Sequence, residues 1–482
     1  MSDWKMEFYY RLPARLQESA LSLYAGYLNR LYYGAGYAPA LAQFHRLQQA
    51  PVEITTEWQN SRLRALIELS ATRVPYYRER WSGIDWRAVR GSGDLEMVPL
   101  LEKQELRQNE SRFLAEGLSI KSLWLEKTSG STGTALKIYW PKTMLPQWWA
   151  LTEVAIRRVA GVGQELPRAM FGGRSVVQGS ASEPPYWRYN RRWRQLYLSS
   201  YHIAPGSALE YIGALRHYGS QWVTGYGSAI ALLAQCALEA GAAPLPMRAV
   251  IVSGDTLLPG MRRSIERFFA CKCYDSYGQC EAVSLAMECP AGRLHIVPAA
   301  GIWEIVRDDG THCAPGEVGE IVSTGLLNDA MPFIRYRLGD YAAWAEKQHC
   351  PCGNLQPVIS CLEGRLDDYL VTSDGRKIGR LSTAIKQSPA IHSAQLVQDR
   401  PAHAYLLVRP GAGYQARDAL TVRADLIGRI GPFVIDIIET AEIPKTAQGK
   451  NRLIVRLDER PELADVYRSL LELRDQKWGR AA

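Results

Sequence analysis

The sequence predicts an α/β multidomain protein: a large N-terminal domain of layered β-sheets and helices, then a small, mobile α+β C-terminal domain. Three observations carry this. The chain has 482 residues, too many for one ordinary hydrophobic core. From about residue 121 to 360, short β-branched runs alternate with helical windows, the pattern of α/β layers. From about 365 the composition turns more charged while strands continue. The expected division is 1–120, a helical part of the large domain; 121–365, its nucleotide- and acid-binding core; and 366–482, the small domain.

Residues 1–120 read as mostly helical. "RLQESALSLYAGYLNRLYYG" repeats apolar positions at helical spacing and ends at a glycine, so its Leu- and Tyr-rich stripe is expected to pack in the core. Contact of that helix with a partner or a membrane surface stays open. The core region supplies the strand runs "ALKIYW", "SQWVTGYG", "RAVIVSGD", "CKCYDSYG" and "WEIVRD". "GEVGEIVSTG" reads as two short strands joined by a tight turn. The last domain holds "HSAQLVQD", "AYLLVRP" and "FVIDIIET". No internal repeat or low-complexity segment is seen.

Hydrophobic residues make up 47% of the chain and charged residues 22%, the balance of a globular protein. Net charge is 57 − 49 = +8. The basic residues are dispersed rather than gathered in a stripe, which excludes an ordinary nucleic-acid binder. No run approaches the roughly 18 apolar residues of a membrane span. "MSDWKMEFYYRLPARLQ" lacks the apolar centre of a signal peptide. A cytoplasmic protein with reduced thiols is expected, so the nine cysteines should be free, catalytic or metal-bound.

The segment "LEKTSGSTGTALKIYW" raises the first chemical question. Thr128, Ser129, Gly130, Ser131, Thr132, Gly133 and Thr134 run unbroken between strand-like borders. Small residues let successive backbone N–H groups face one concavity, and hydroxyls add donors, so phosphate is the expected guest. An ordinary polar hairpin loop is the plainer alternative. The run is neither a Walker A loop nor a serine-hydrolase elbow. Lys137 follows and is placed to add charge near phosphates. Further along, "YDSYGQCEA" groups Tyr277, Gly278 and Glu281. "FIRYRLGD" groups Tyr336, Arg337, Gly339 and Asp340. "EGRLDDYL" groups Arg365 and Asp367, and "IPKTAQGKNR" carries Lys450.

In this order the motifs resemble the adenylate-forming enzymes: acyl-CoA synthetases, peptide-synthetase adenylation domains and luciferases. Within them the chain is most similar to the phenylacetate-CoA ligase branch, which includes the CapK proteins. Four features suggest the branch: the helical start "FYYRLP", the loop "TSGSTGTALK", "YGQCEAVSLAMEC" followed by "GRLHI", and a Cys-x-Cys-Gly before the hinge. The resemblance spans about residues 8 to 457 and makes the large domain an adenylate-forming one. It implies that residues 128–134 hold the β- and γ-phosphates of ATP, Tyr277 stacks on adenine beside Gly278, and Asp340 binds the ribose hydroxyls. It further implies that Glu281 binds Mg²⁺, a hard cation that wants carboxylate oxygen. Arg365 approaches the nucleotide, and Lys450 reaches in from the small domain where charge develops. The small domain would rotate about Asp367 between half-reactions. Two positions depart from the relatives: Ala135 stands where many have Pro, and Asp255 where many have Glu.

Cys289 with His295, and Cys350 with Cys352, have the donor types of one tetrahedral structural zinc site, with His349 a weaker alternative ligand. The acid pocket is expected between "SYHIAPG", "TGYGSAIALL" and "IVSGD", with Tyr201, His202, Tyr226, Gly227 and Ser228 as candidates. Their aromatic character favours an aryl or other apolar acid. Coenzyme A is the favoured acyl acceptor; an amine in a polysaccharide or natural-product pathway is the alternative. A Rossmann-type oxidoreductase is disfavoured because "GYGSAI" lacks the third glycine. The acid, the acceptor and the oligomeric state stay open.

Overall fold

The computed structural model describes residues 8–128, 136–172, 176–177, 181, 183–363, 369–378, 381, 384–385, 388–445, 451–468 and 470. Ser129 to Thr134, Arg365, Asp367 and Lys450 lie outside these residues.

Three long helices open the chain: α1 (Ala14–Tyr32), α2 (Tyr37–Gln49) and α3 (Val52–Arg73). Pro13 and Pro51 stand just before α1 and α3, where a missing N–H costs nothing. A hairpin of β1 (Leu123–Lys127) and β2 (Lys137–Pro141) follows, then α4 (Met144–Thr152), which runs into a π-helical turn at Glu153–Arg157.

Next come β3 (Arg168–Phe171), β4 (Trp187–Asn190), β5 (Gln195–Leu198), α5 (Ala208–His217), β6 (Trp222–Gly225), α6 (Gly227–Glu239), β7 (Ala249–Ser253), α7 (Pro259–Phe269) and β8 (Cys273–Gly278). The chain continues through β9 (Leu285–Glu288), β10 (Leu294–Ile296), β11 (Gly301–Val306), β12 (Gly319–Gly325), β13 (Tyr336–Trp344) and β14 (Val358–Glu363). Among the described residues, twelve strands form one sheet in the order β11-β12-β13-β14-β10-β9-β8-β7-β6-β3-β5-β4. Strands β5, β3, β6, β7 and β8 are parallel, and from β8 to β11 every pairing is antiparallel. The β8–β9 seam is therefore where the sheet changes character, and the candidate site lies there. "GEVGEIVSTG" proves to be a turn leading into one strand, β12, because the Gly316 and Glu317 N–H groups bond to Trp344 and Ala314 rather than along a second strand.

The C-terminal part has a small hairpin, β15 (Leu370–Val371) with β16 (Lys377–Ile378). It also has a four-stranded sheet in the order β19-β18-β17-β20. Its members are β17 (Ile391–Arg400), β18 (His403–Pro410), β19 (Val434–Glu439) and β20 (Ile454–Arg456), with α8 (Ala416–Ile430) packed on it. Leu396, Leu406 and Leu426 from this part share one apolar cluster with Ile230 and Phe268 of α6 and α7. Gly260 of α7 permits the approach: a Cβ there would stand 2.1 Å from the Ile391 carbonyl oxygen. Among the described residues, no helix is long and apolar enough to cross a membrane.

The N-terminal helix departs from its expected packing. Ala25, Leu28 and Tyr32 are buried, but Leu16, Leu23, Tyr24 and Tyr27 of the same helix are exposed. The apolar residues occupy two faces, only one of which meets the core.

Candidate active site

The hairpin β1–β2 frames the Gly/Ser/Thr run. The Thr128 N–H donates to the Leu136 carbonyl at 3.1 Å, and the Leu136 N–H donates to Thr128 Oγ1 at 3.0 Å. The two ends of the loop are thus tied by one backbone–backbone bond and one bond to the Thr128 hydroxyl, and the loop's interior lies outside the described residues. Lys137, expected near phosphates, instead pairs with Glu110 at 3.4 Å.

Four of the predicted residues meet at the sheet seam. Tyr277 and Gly278 end β8, and Glu281 sits in the β8–β9 turn, where Ala282 takes a left-handed φ of 54°. Asp340 comes from β13, brought beside β8 through β14, β10 and β9. The Tyr277 hydroxyl donates to Asp340 Oδ2 at 2.7 Å, and its ring meets Trp303 edge to face at 5.6 Å. Tyr336 donates its hydroxyl to Glu281 Oε1 at 3.2 Å. Glu281 is a buried carboxylate, 3% exposed, and Lys103 Nζ stands 3.7 Å from the same oxygen. Lys103 was not legible in the sequence. It arrives because the backbone of Leu101 pairs with Arg335 and Arg337 at the start of β13. Arg335, held by Glu304 at 2.8 Å, and Arg337, held by Glu320, serve as anchors for that strand. An aromatic face, a carboxylate that can accept from two hydroxyls and a buried carboxylate oxygen are the functional groups a magnesium nucleotide requires.

The acid-pocket candidates fall into two groups. His202 stacks on Tyr186 at 4.9 Å, Tyr186 stacks on Tyr211 at 5.9 Å, and Ser199 Oγ lies 2.7 Å from His202 Nδ1. His202 Nε2 is buried with no hydrogen-bond partner among the described residues. Tyr201 is 37% exposed beside it, and burial raises its phenol pKa. Gly227 and Ser228 begin α6 and face Asp255. The two backbone N–H groups donate to its carboxylate at 2.8 and 3.1 Å, and the Ser228 hydroxyl donates to Oδ2. Asp255 thus holds a helix N-terminus, as a carboxylate does well there. Gly225 lets Tyr226 take its place: its φ is 127°, and a Cβ would stand 1.6 Å from the Phe171 carbonyl oxygen.

Lys445, from the C-terminal part, was also missed. Its ammonium donates to the Ser200 carbonyl at 3.1 Å, next to Tyr201 and His202. Burial lowers its pKa, against the nearby carboxylates of Glu442 and Asp255. The signal available in the sequence was its place five residues before Lys450 in "IPKTAQGK".

The four expected metal ligands converge. The ligand atoms of Cys289, His295, Cys350 and Cys352 lie within 4.8 Å of one another. The turn after β9 carries Cys289, β10 carries His295, and Cys350 and Cys352 precede β14, which pairs with β10. Cys289 Sγ and Cys350 Sγ are 3.6 Å apart, and Cys352 Sγ is 3.5 Å from His295 Nε2. Bond lengths of about 2.3 Å to sulfur and 2.0 Å to nitrogen give tetrahedral edges of roughly 3.8 Å between sulfurs and roughly 3.5 Å between sulfur and nitrogen, so the donors fit zinc. His295 Nδ1 lies 2.8 Å from the Gln356 carbonyl oxygen, which fixes the tautomer with Nε2 free for metal. His349 is not in the group.

No family model matches the chain. Among solved structures, the fold is similar to 2-hydroxyisobutyryl-CoA ligase in the postadenylation state with R3-HIB-AMP. That match has a TM-score of 0.64 at 18% identity and covers 89% of this chain and 94% of that one. The chain is 24% identical over 373 residues to protein CapK of Staphylococcus aureus, covering 75% of this chain and 80% of that protein. It is 24% identical over 346 residues to the phenylacetate-coenzyme A ligase of Thermus thermophilus, covering 67% and 73%. The likenesses to CapK and the phenylacetate-CoA ligases support the adenylate-forming superfamily and, within it, the branch of those proteins.

Proposed function

We propose that this enzyme activates an aryl or other apolar carboxylic acid with MgATP and transfers the acyl group to coenzyme A. The observation that carries the reading is the meeting of Tyr277, Asp340, Tyr336 and Glu281 at the β8–β9 seam, where the sheet changes from parallel to antiparallel. In the first half-reaction a carboxylate oxygen attacks the α-phosphorus of ATP, the α–β phosphoanhydride bond breaks, and pyrophosphate leaves. In the second, the coenzyme A thiolate attacks the acyl carbon and AMP leaves.

Tyr277 packs on adenine, Asp340 orients the ribose, and residues 128–134 surround the β- and γ-phosphates. Arg365 and Lys450 add positive charge where negative charge builds in the transition state. Glu281 is the carboxylate suited to Mg²⁺, which supplies charge neutralisation at the phosphates. The aromatic stack of Tyr186 and His202, with Tyr201 next to His202 in the chain, supports a flat apolar acid. Residues 366–482 form the mobile unit, turning about Asp367. Cys289, His295, Cys350 and Cys352 hold a structural zinc that ties β9 and β10 to the segment before β14.

The test is pyrophosphate release over a panel of aryl, fatty, amino and sugar acids, with and without coenzyme A. Release that rises with coenzyme A, with AMP and a thioester as products, is the expected result. Release that ignores coenzyme A and yields an amide when an amine is supplied would overturn the acceptor while leaving adenylation standing.

A further inference from the structure

We propose that the outer face of α1 is a membrane-surface helix that seats the enzyme on a bilayer carrying anionic headgroups. The first observation is a concentration of exposed apolar side chains. Leu16, Leu23, Tyr24 and Tyr27 are 53%, 79%, 49% and 50% exposed, and Phe8 just before the helix is 61% exposed. At about 100° of rotation per residue, Leu16, Ala20, Leu23, Tyr24 and Tyr27 fall in one arc about 100° wide. The opposite contacts are spoken for: Gln17, Ala25, Leu28 and Tyr32 are buried against the protein.

The second observation is charge. Arg15 and Arg30 lie along one edge of the apolar arc and are exposed, as is Arg11 just before the helix. That edge adjoins the turn after β4. The Arg191 N–H donates to Ser22 Oγ at 3.1 Å, and the Trp193 indole donates to Asn29 at 3.4 Å, so the turn is fixed to the flank of α1. Arg191, Arg192 and Arg194 on this turn are exposed too. Between residues 8 and 32 the one acidic side chain is Glu18, and its carboxylate accepts the Tyr189 N–H at 2.9 Å. An apolar strip bordered by six arginines complements an anionic bilayer: the strip enters the headgroup boundary while the arginines meet phosphates. Tyrosine, apolar in the ring and polar at the tip, suits that depth. A second copy of the chain would bring the same arginines face to face, which disfavours self-association.

The experiment is flotation of the full chain with vesicles of phosphatidylcholine, alone and with phosphatidylglycerol. The chain should float with the anionic vesicles and lose binding as salt rises. Leu23→Glu with Tyr27→Glu should weaken binding by about tenfold or more. Replacing Arg15, Arg30 and Arg192 by Gln should weaken it about fivefold per residue. These side chains are exposed, so thermal melting should not change. No flotation with either vesicle, or flotation indifferent to the substitutions, overturns the proposal. A dimer in sedimentation that Leu23→Glu breaks would also overturn it, assigning the face to a second copy.

Discussion

At the residue scale, the polar groups at the seam form two pairs, Tyr277 with Asp340 and Tyr336 with Glu281, and this makes the roles separable. Tyr277 and Asp340 share a hydrogen bond of 2.7 Å. Asp340→Asn keeps the shape but removes the charge that strengthens hydrogen bonds to ribose. We expect it to raise KM for ATP about 10- to 100-fold with a smaller change in kcat, as initial rates would measure. Glu281 is buried, and its proposed partner is the metal rather than the sugar, so Glu281→Gln should lower kcat about 100-fold or more. Raising the magnesium concentration should recover part of that loss. The contribution of Lys103 could not be read from "PLLEKQELR", because its approach to Glu281 depends on a backbone pairing over 230 residues away in sequence. Tyr277, Glu281 and Asp340 were legible because each sits in a short motif whose order along the chain is itself informative. Gly227 and Ser228 were less so: the carboxylate they face, Asp255, comes from a different strand end.

At the element scale, the cluster of Cys289, His295, Cys350 and Cys352 and the contact between α7 and β17 carry the firmest consequences. Cys350→Ser should abolish binding of about one zinc per chain, read by atomic emission. Loss of that tie between β10 and β14 should also lower the melting temperature by about 5 °C or more. Retention of zinc by this variant would contradict the proposed ligand set. His392, on β17, packs against α7 with Ser264 Oγ at 3.4 Å. Burial, and then the charge of Arg409, lowers its pKa to about 3, against about 6.5 in an unfolded chain. The unfolded state therefore binds the extra proton. The stability this neutral histidine permits is complete above about pH 6.5 and is lost as pH falls from there toward 3. Urea midpoints should fall on going from pH 7 to 5, and His392→Gln should flatten that fall. The strands "HSAQLVQD", "AYLLVRP" and "FVIDIIET" were legible from apolar, β-branched runs. The two faces of α1 were not, since helical periodicity marks apolar positions without saying which of them meets protein.

At the scale of the whole molecule, the sequence order of the motifs follows the architecture. Strands β8 and β13 are adjacent in function yet separated in the sheet by β9, β10 and β14, and the chain returns to the seam only after the antiparallel half is built. The C-terminal part packs on α6 and α7 through a shared apolar cluster, and Lys445 reaches from it to the Ser200 carbonyl. The proposed rotation of residues 366–482 would have to exchange these contacts for others. What no pattern in the sequence could supply is the identity of the acid: the candidates Tyr201 and His202 stand on one segment and Gly227 and Ser228 on another.

The most direct test of adenylation is acid-dependent exchange of labelled pyrophosphate into ATP, which needs no acceptor. The account predicts exchange in magnesium with at least one aryl or apolar acid, reduced about 100-fold or more in Lys450→Ala while ATP still binds. Formation of ADP and phosphate in place of exchange, or exchange undiminished in Lys450→Ala, would contradict it.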